Sequence, residues 1–533
     1  MKDVLRAVST RRTPQSRRAD QRQVRNAAGG YAFAVGDWTR VHRFLTLGTD
    51  GGTYYASAHD LTADAAAVVI RSAATDPVEL VRRIIEVSES GRAPRQNPAL
   101  FALAIAASAP DVDGRRAALA ALPRVARTGT HLFLFARYVE QFRGWGPTLV
   151  RAVGDWYADT PLDRLALQVV KYRQREGWSH RDLLRLSHPS TAEQGRRALF
   201  DWVCRGTHAV ELPALIADFV EAQQANSAQE WTAIIARGHG LTWEMLPDTA
   251  LAEADVWAAL LDRGLPQTAL LRQLPRLTRL GLTQGSTGDA IAARLQDADR
   301  LARARVHPIN VLVAQRTYAS GRSARGDSTW VPTPKIADAL DAAFYGAYGA
   351  VAPAGKRTLL ALDVSGSMGS PVSGLPLTCR EAAGALALVT ASTEPEHRFV
   401  GFTAGTRGYG NTAVRELDIS PRRRLDDVCR YVATLPFGAT DCAAPMVWAL
   451  RHRVEVDTFH VYTDNETWFG SIHPHQALRE YRERTGIPAR LVVVAMTATG
   501  RSIADPADPG QLDVSGFDAT VPQLLADFSR GDV

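Results

Sequence analysis

The sequence predicts a multidomain chain: an all-α array of HEAT-like helical repeats followed by an α/β doubly wound, Rossmann-like domain. Three observations predict it. At 533 residues the chain exceeds what one hydrophobic core usually holds, so two large domains are expected. Over the first two thirds, apolar residues recur at spacings of three and four, with Gly, Pro or Asp between the periodic stretches. After Pro353 the rhythm changes to short apolar runs alternating with helical patterns.

The helical part runs from about Val35 to Tyr348. Apolar periodicity predicts helices at Leu61 to Ala74, Pro77 to Ser90, Pro98 to Ala107, Arg115 to Ala126, His131 to Gln141, Pro147 to Ala158 and Leu162 to Arg175. Further helices are expected at Ala192 to Arg205, Leu212 to Ala225, Glu230 to Arg237, Glu253 to Arg263, Pro266 to Gln273 and Gly288 to Ala304. Several open on proline, which suits a first turn whose N–H has no partner anyway. Beyond the linker, strands are expected at Thr358 to Val364, His397 to Thr403, Thr458 to Thr463 and Arg490 to Met496. An extended segment is expected from Ala413 to Ile419. Helices at Leu377 to Thr393, Leu425 to Leu435, Ala443 to Arg451, Pro474 to Thr485 and Val521 to Arg530 alternate with them. The pair Gly355-Lys356 is no phosphate loop: Gly349 stands one residue too far upstream, and a strand follows.

Composition narrows the function. A hydrophobic fraction of 46% and a charged fraction of 22% fit a folded protein rather than a disordered one. Cys204, Cys379, Cys429 and Cys442 show no C-x-x-C pairing, which argues against zinc and a disulfide framework, and a reducing cytoplasm is expected. No apolar run long enough for a membrane span is evident, and the Arg-rich N-terminus lacks a signal-peptide core, so no membrane partner is expected. Residues 1–350 hold 44 Lys and Arg against 35 Asp and Glu, net +9, whereas residues 351–533 hold 18 against 21, net −3. Eight of the basic residues fall within Met1 to Gly30, which reads as a basic flexible N-terminal arm over residues 1–25.

Two clusters carry chemistry. Asp363-Val-Ser365-Gly-Ser367 follows the apolar run Thr358 to Leu362. Thr440 in Gly438-Ala-Thr440-Asp441 and Asp464 after Thr458 to Tyr462 would reach the same edge of a doubly wound sheet. Hard oxygen donors of this kind suit Mg²⁺, or Mn²⁺ and Ca²⁺ less selectively. The second cluster lies at 171–188. Lys171 and Arg175 are expected on one helical face, and Arg181 and Arg185 repeat the spacing after Gly177, so a phosphate backbone would meet several cations. A solvated face with Glu176 and Asp182 as local partners is the bland alternative. Arg40, His42 and Arg43 are further candidates for contact with nucleic acid, although His42 beside Phe44 and Leu45 suits an interior histidine equally well.

The oxygen-donor cluster resembles the metal-ion-dependent adhesion site of von Willebrand factor A (vWA) domains. There the first Asp and the two hydroxyls hold the cation, and the Thr and distal Asp complete the site. Upstream, Asn26-Ala-Ala-Gly-Gly-Tyr31, Val41 to Gly48 with Gly51-Gly-Thr-Tyr-Tyr55, Pro98 to Ile105, Lys171 to His188, Leu241-Thr-Trp-Glu244, Arg305-Val-His-Pro308 and Ala339 to Phe344 resemble the TROVE module. TROVE followed by vWA is the layout of the Ro autoantigen family, and the resemblance spans roughly residues 26 to 500. It implies a TROVE domain over 26–352 and a vWA domain over 353–533. It also implies a helical ring closed by the vWA domain, a Y-like noncoding RNA on its basic outer surface through Lys171, Arg175 and His188, and misfolded RNAs with single-stranded ends in the central hole. The expected role is RNA quality control or turnover, with tethering to an exoribonuclease such as polynucleotide phosphorylase. A monomer is expected. The alternative is a vWA metal-dependent protein-binding scaffold with incidental RNA binding. An enzyme is not expected, because one cation with mostly hydroxyl ligands lacks the carboxylate cluster of paired-metal hydrolases.

Overall fold

A computed structural model describes residues 12–48, 58–207, 210–323, 326–349, 351–372, 375–404, 413–436 and 438–532. Residues 1–11 of the expected arm and the Gly51 to Tyr55 text lie outside them. The strands are β1 (Gln23–Arg25), β2 (Tyr31–Ala34), β3 (Gln174–Arg175), β4 (Trp178–Ser179), β5 (Thr358–Asp363), β6 (His397–Phe402), β7 (Val414–Glu416), β8 (Thr458–Thr463), β9 (Arg490–Ala495), β10 (Arg501–Ser502) and β11 (Gln511–Ser515). The described residues also form 24 α-helices, 19 of them before the large sheet begins.

The large sheet has the order β11-β9-β8-β5-β6-β7 and is parallel except for the β6–β7 pair. Every residue of β5 and β8 is buried, which is why these strands read as unbroken apolar runs: helices cover both faces. Side chains alternate between the faces. Leu359 and Ala361 join Met446 and Leu478 from helices Ala444–Arg451 and Pro474–Thr485. Leu360 and Leu362 join Leu386, Val428 and Leu525 from helices Cys379–Thr393, Leu425–Ala433 and Val521–Arg530. That second core continues through Phe344 and Leu312 to Trp257 of the helical array. The linker near Pro353 therefore marks a change of pattern, not a gap in packing.

Helix ends follow local chemistry. Asp76 accepts from Glu79 N at 3.0 Å ahead of Pro77, and Thr128 accepts from His131 N at 3.2 Å. The expected helix Gly288 to Ala304 is two helices, Gly285–Gln296 and Ala298–Arg303, because Asp297 caps the second through Arg300 N at 2.9 Å. The expected helix Leu162 to Arg175 ends at Lys171. Glu176 and Gly177 take φ of 55° and 82°, the left-handed pair that closes a two-residue hairpin between β3 and β4. β10 and β11 have no counterpart among the expected strands.

The expectation of a flexible arm over residues 1–25 is corrected for residues 12–25. These pack on the C-terminal domain: Arg12 meets Glu480 at 2.7 Å and Arg22 meets Asp505 at 2.7 Å. β1 and β2 form an antiparallel sheet with β10 of that domain. The first helix, Asp37–Leu47, continues the contact, and its Arg43 has no accessible surface. Arg43 donates to Thr499 O, to Arg501 O at 2.7 Å and to Asp513. The far end of the array returns to its beginning. His307 Nδ1 accepts from Ile309 N, so its Nε2–H donates to Arg92 O at 3.3 Å, and Arg305 donates to Glu89 O. Arg92 in turn meets Asp518 of the C-terminal domain at 3.4 Å. The helical array thus closes on itself and on the sheet domain.

Arg43→Met is expected to lower the midpoint of thermal unfolding. It strands the Asp513 carboxylate in the interface, a loss of about 3–5 kcal/mol for a broken buried pair; an unchanged midpoint in a calorimetric scan would contradict the role given to Arg43. Burial also holds His131 and His180 down at about 4 and His460 at about 3. The unfolded chain takes up these protons first, so the contribution of these three histidines to stability should be flat above about pH 7 and be lost as pH drops from about 6.5 towards 4. The fall in midpoint between about pH 6.5 and about pH 4.5 should be smaller in His460→Gln than in the wild type; an equal fall would refute the assignment.

Candidate metal centre and basic surface

Parallel register brings the oxygen donors to one edge. β5 ends at Asp363 and β8 at Thr463, one residue before Asp464, and the pairing Leu362↔Tyr462 sets these ends side by side. Ser365 N donates to Asp363 Oδ1 at 2.9 Å, which curls the loop so that the Ser365 and Ser367 hydroxyls lie 3.0 Å apart. The Ser365 hydroxyl lowers the Asp363 carboxyl and the Ser367 hydroxyl lowers that of Asp464, so each hydroxyl faces a carboxylate. Thr463 Oγ1 donates to the other oxygen of Asp363 at 2.6 Å. Thr440 sits on a separate loop, anchored where its carbonyl accepts from Trp468 N and Phe469 N at 3.2 and 3.0 Å. All five candidates, Asp363, Ser365, Ser367, Thr440 and Asp464, are fully buried.

The electrostatics suit a cation. Burial pushes the Asp464 carboxyl well above the usual range, and the nearby Asp363 and Glu466 charges add to the shift. Asp363 is also raised by burial, opposed by hydrogen bonds from Ser365 and Thr463 and by the Arg380 charge. Arg380 lies beneath the first loop and donates to Val364 O and Ser365 O at 3.2 and 3.1 Å. Thr440 Oγ1 and Asp464 Oδ2 are buried without any hydrogen-bond partner. A coordinating ion would satisfy both at once. Among the described residues no group of three or more His, Cys, Asp or Glu forms a metal site, so the donor set here is two carboxylates and hydroxyls. That set fits a hard divalent cation. The neighbouring Cys442 thiol, raised well above its usual range chiefly by burial, stays protonated and offers no soft ligand. Sequence reasoning missed Thr463, Arg380 and Glu466. Thr463 adjoins Asp464 at the strand end and could have been found there; Arg380 had no sequence signal.

The basic candidates separate into two groups. Arg175 lies on β3 and not on a helical face with Lys171, because the left-handed turn at Glu176-Gly177 reverses the chain. Lys171 is only 17% exposed and pairs with Glu244 at 3.2 Å. Arg175, Arg181, Arg185 and His188 are exposed around the hairpin and the helix His180–Ser187. Arg175 and Arg181 have no ion-pair partner among the described residues, and Arg185 bonds only the Cys204 carbonyl at 3.2 Å. Asp182 does not neutralise them: it closes a capping box with Ser179, accepting from Ser179 N at 2.9 Å. Behind the helix, His180 Nδ1 accepts from Tyr157 OH at 2.8 Å and its Nε2 faces Gln168 O, fixing the helix to the array. A Cβ at Gly129 would meet that imidazole at 2.7 Å, so only glycine fits there.

Arg40, His42 and Arg43 do not belong to such a surface. Arg40 pairs with Asp37 and Asp64. Burial holds His42 down at about 4, so it is neutral at physiological pH, and its Nδ1 lies 3.2 Å from Ser515 Oγ. Arg43 is consumed by the interdomain contact. Burial, which spacing does not reveal, separates these residues from the exposed arginines.

Comparison with known proteins places the chain. The TROVE domain model matches residues 24–210 and 214–356, and the Ro60 vWA domain model matches residues 357–529. RNA-binding protein RO60 of Deinococcus radiodurans is 42% identical over 543 aligned residues, covering 100% of both chains. RNA-binding protein RO60 of Caenorhabditis elegans is 36% identical, covering 96% of this chain and 90% of that one. The crystal structure of the Deinococcus radiodurans RO (RSR) protein superposes with a TM-score of 0.69 at 41% identity, over 93% of this chain and 100% of that one.

Millimolar Mg²⁺ is expected to raise the thermal midpoint by relieving the repulsion between Asp363 and Asp464, and EDTA to reverse it. Asp464→Asn should abolish the response; a midpoint shift that survives this substitution would place the cation elsewhere.

Proposed function

Because this chain belongs to the Ro60 family, its TROVE domain running into a Ro60-type vWA domain, we propose that it is a non-catalytic RNA-binding ring. A Y-like noncoding RNA binds its basic outer surface, and the ring's central hole takes the single-stranded ends of misfolded or structured RNAs. The observation that carries this reading is the exposed set Arg175, Arg181, Arg185 and His188, held on a rigid hairpin and helix and free of carboxylate partners among the described residues. Guanidinium forks on a fixed scaffold suit phosphate oxygens and shape recognition more than base readout. Two full-length relatives that carry the name RNA-binding protein support it.

Lys171 contributes differently. Its pairing with Glu244 makes it a second-line contact, available to phosphate only when that pair opens. In the vWA domain, Asp363, Ser365, Ser367, Thr440 and Asp464 would hold Mg²⁺, with Mn²⁺ or Ca²⁺ as less selective occupants. A bound cation there supplies a Lewis-acidic position for an anionic oxygen of a partner. The role in the cell is RNA quality control or turnover in the cytoplasm. The protein acts as a monomer, coupled through its small RNA to an exoribonuclease such as polynucleotide phosphorylase.

Sequencing of RNA crosslinked to the protein in its host should recover one small structured RNA, absent from a Lys171/Arg175/His188 triple-alanine variant. Equal background RNA in both samples would overturn the proposal. In salt titrations, replacing Arg175, Arg181 and Arg185 by Ala should flatten the slope of log K against log salt by about 0.7–0.9 for each phosphate no longer neutralised, and Lys171→Ala should change it least.

A further inference from the structure

Gln15 belongs to the N-terminal segment, yet its side chain ends between the two loops that carry Thr440 and Asp464. It is fully buried. Its Nε2 donates to Asp441 Oδ1 at 2.7 Å and to Ile472 O at 2.8 Å, and its Oε1 accepts from the Thr467 hydroxyl. Thr467 Oγ1 also accepts from Cys442 N at 3.1 Å, which completes a closed circuit of Asp441, Gln15, Thr467 and Cys442. Backbone bonds hold Gln15 in place: Gln15 N donates to Gly470 O at 3.1 Å, and Tyr31 N donates to Gln15 O at 3.0 Å.

A second contact presses the same loop. A Cβ at Gly30 would lie 2.0 Å from Thr467 O and 2.6 Å from Trp468 Cα, so the segment meets the loop backbone to backbone. Asn26 Nδ2 donates to Thr467 O, and Ala28 N donates to Glu466 Oε2 at 2.9 Å. Thr440 immediately precedes Asp441, and Asp464 lies three residues before Thr467. Trp468 N and Phe469 N tie this loop to Thr440 O directly, and Gln15 adds a side-chain bridge between the same two loops beside the donors.

We propose that Gln15 is a positioning residue for the cation site, bridging the Thr440 and Asp464 loops so that both oxygens face one ion. This rests on the metal reading of the site given above. Removing an outer partner that orients metal ligands commonly costs 10–100-fold in affinity, and the donor set here, rich in neutral hydroxyls, depends on close placement.

The test is calorimetric titration of Mn²⁺ into the full chain and its variants. Gln15→Ala should weaken binding by about 10- to 100-fold. Asp441→Ala should do the same, Asp441→Asn, which keeps the acceptor oxygen, should retain affinity, and the Gln15→Ala/Asp441→Ala double variant should be no weaker than either single one. Arg12→Ala loosens the same segment away from the loops and should bind as the wild type. Unchanged affinity in Gln15→Ala, additive losses in the double variant, or equal losses in Arg12→Ala would each overturn the proposal. Failure of the wild type to take up Mn²⁺ would instead overturn the metal reading. Amide exchange then reads the bridge without a cation: residues 440–442 and 465–467 should exchange faster in Gln15→Ala than in Arg12→Ala, and equal rates would overturn the positioning role.

Discussion

Arg43 sits at the contact on which the rest of the architecture depends. Its guanidinium is withdrawn from water and shared among two carbonyls and the Asp513 carboxylate of the C-terminal domain. A buried charge is tolerated only when it is paired and hydrogen-bonded, as both terminal nitrogens of Arg43 are, so the contact is specific as well as adhesive. It joins residues about 450 positions apart, yet the entropy of closing a loop grows only with the logarithm of its length. Beside this junction β2 pairs with β10, and the His307 and Arg305 contacts join the end of the helical array to its start, so that the stack of helices is closed.

The candidate cation site inherits its order from that closure. Parallel strands deliver Asp363 and Asp464 to one sheet edge, but two buried carboxylates repel, and hydroxyl ligands contribute no net charge to hold an ion. Geometry must compensate. The loops are accordingly tied from several sides: Arg380 and Thr463 from within the sheet domain, and Asn26, Ala28 and Gln15 from the N-terminal segment. The helical domain reaches the same neighbourhood where Arg316 pairs with Glu381, whose carboxylate caps the helix after the first metal loop.

The basic surface obeys a different rule. Arg175, Arg181 and Arg185 stay solvated while Lys171, Arg40 and Arg43 are drawn into ion pairs, so the excess positive charge of the upstream part is not evenly available. Availability follows from which residues the packing leaves outside, and the capping of helix His180–Ser187 by Asp182 keeps an otherwise neutralising carboxylate occupied. Long-range attraction to a polyanion and close contact with it can therefore come from different residues.

The sequence by itself determined the change from helical array to α/β sheet, the placement of most helices, and the presence of five oxygen donors, two of them at strand ends, because these are consequences of local periodicity and of strand termini. It also carried the family's motifs. It could not separate Arg43 from Arg175, since each reads as a basic residue within a helical pattern and only burial tells them apart. It placed Lys171 and Arg175 on one helix because apolar spacing continues across them, whereas the left-handed backbone at Glu176-Gly177 turns the chain into a hairpin. The docking of residues 12–25, the pairing of β2 with β10, and the place of Gln15 between the metal loops were decided only in three dimensions. Each is a contact between segments hundreds of residues apart, and such a contact leaves no periodicity in either segment.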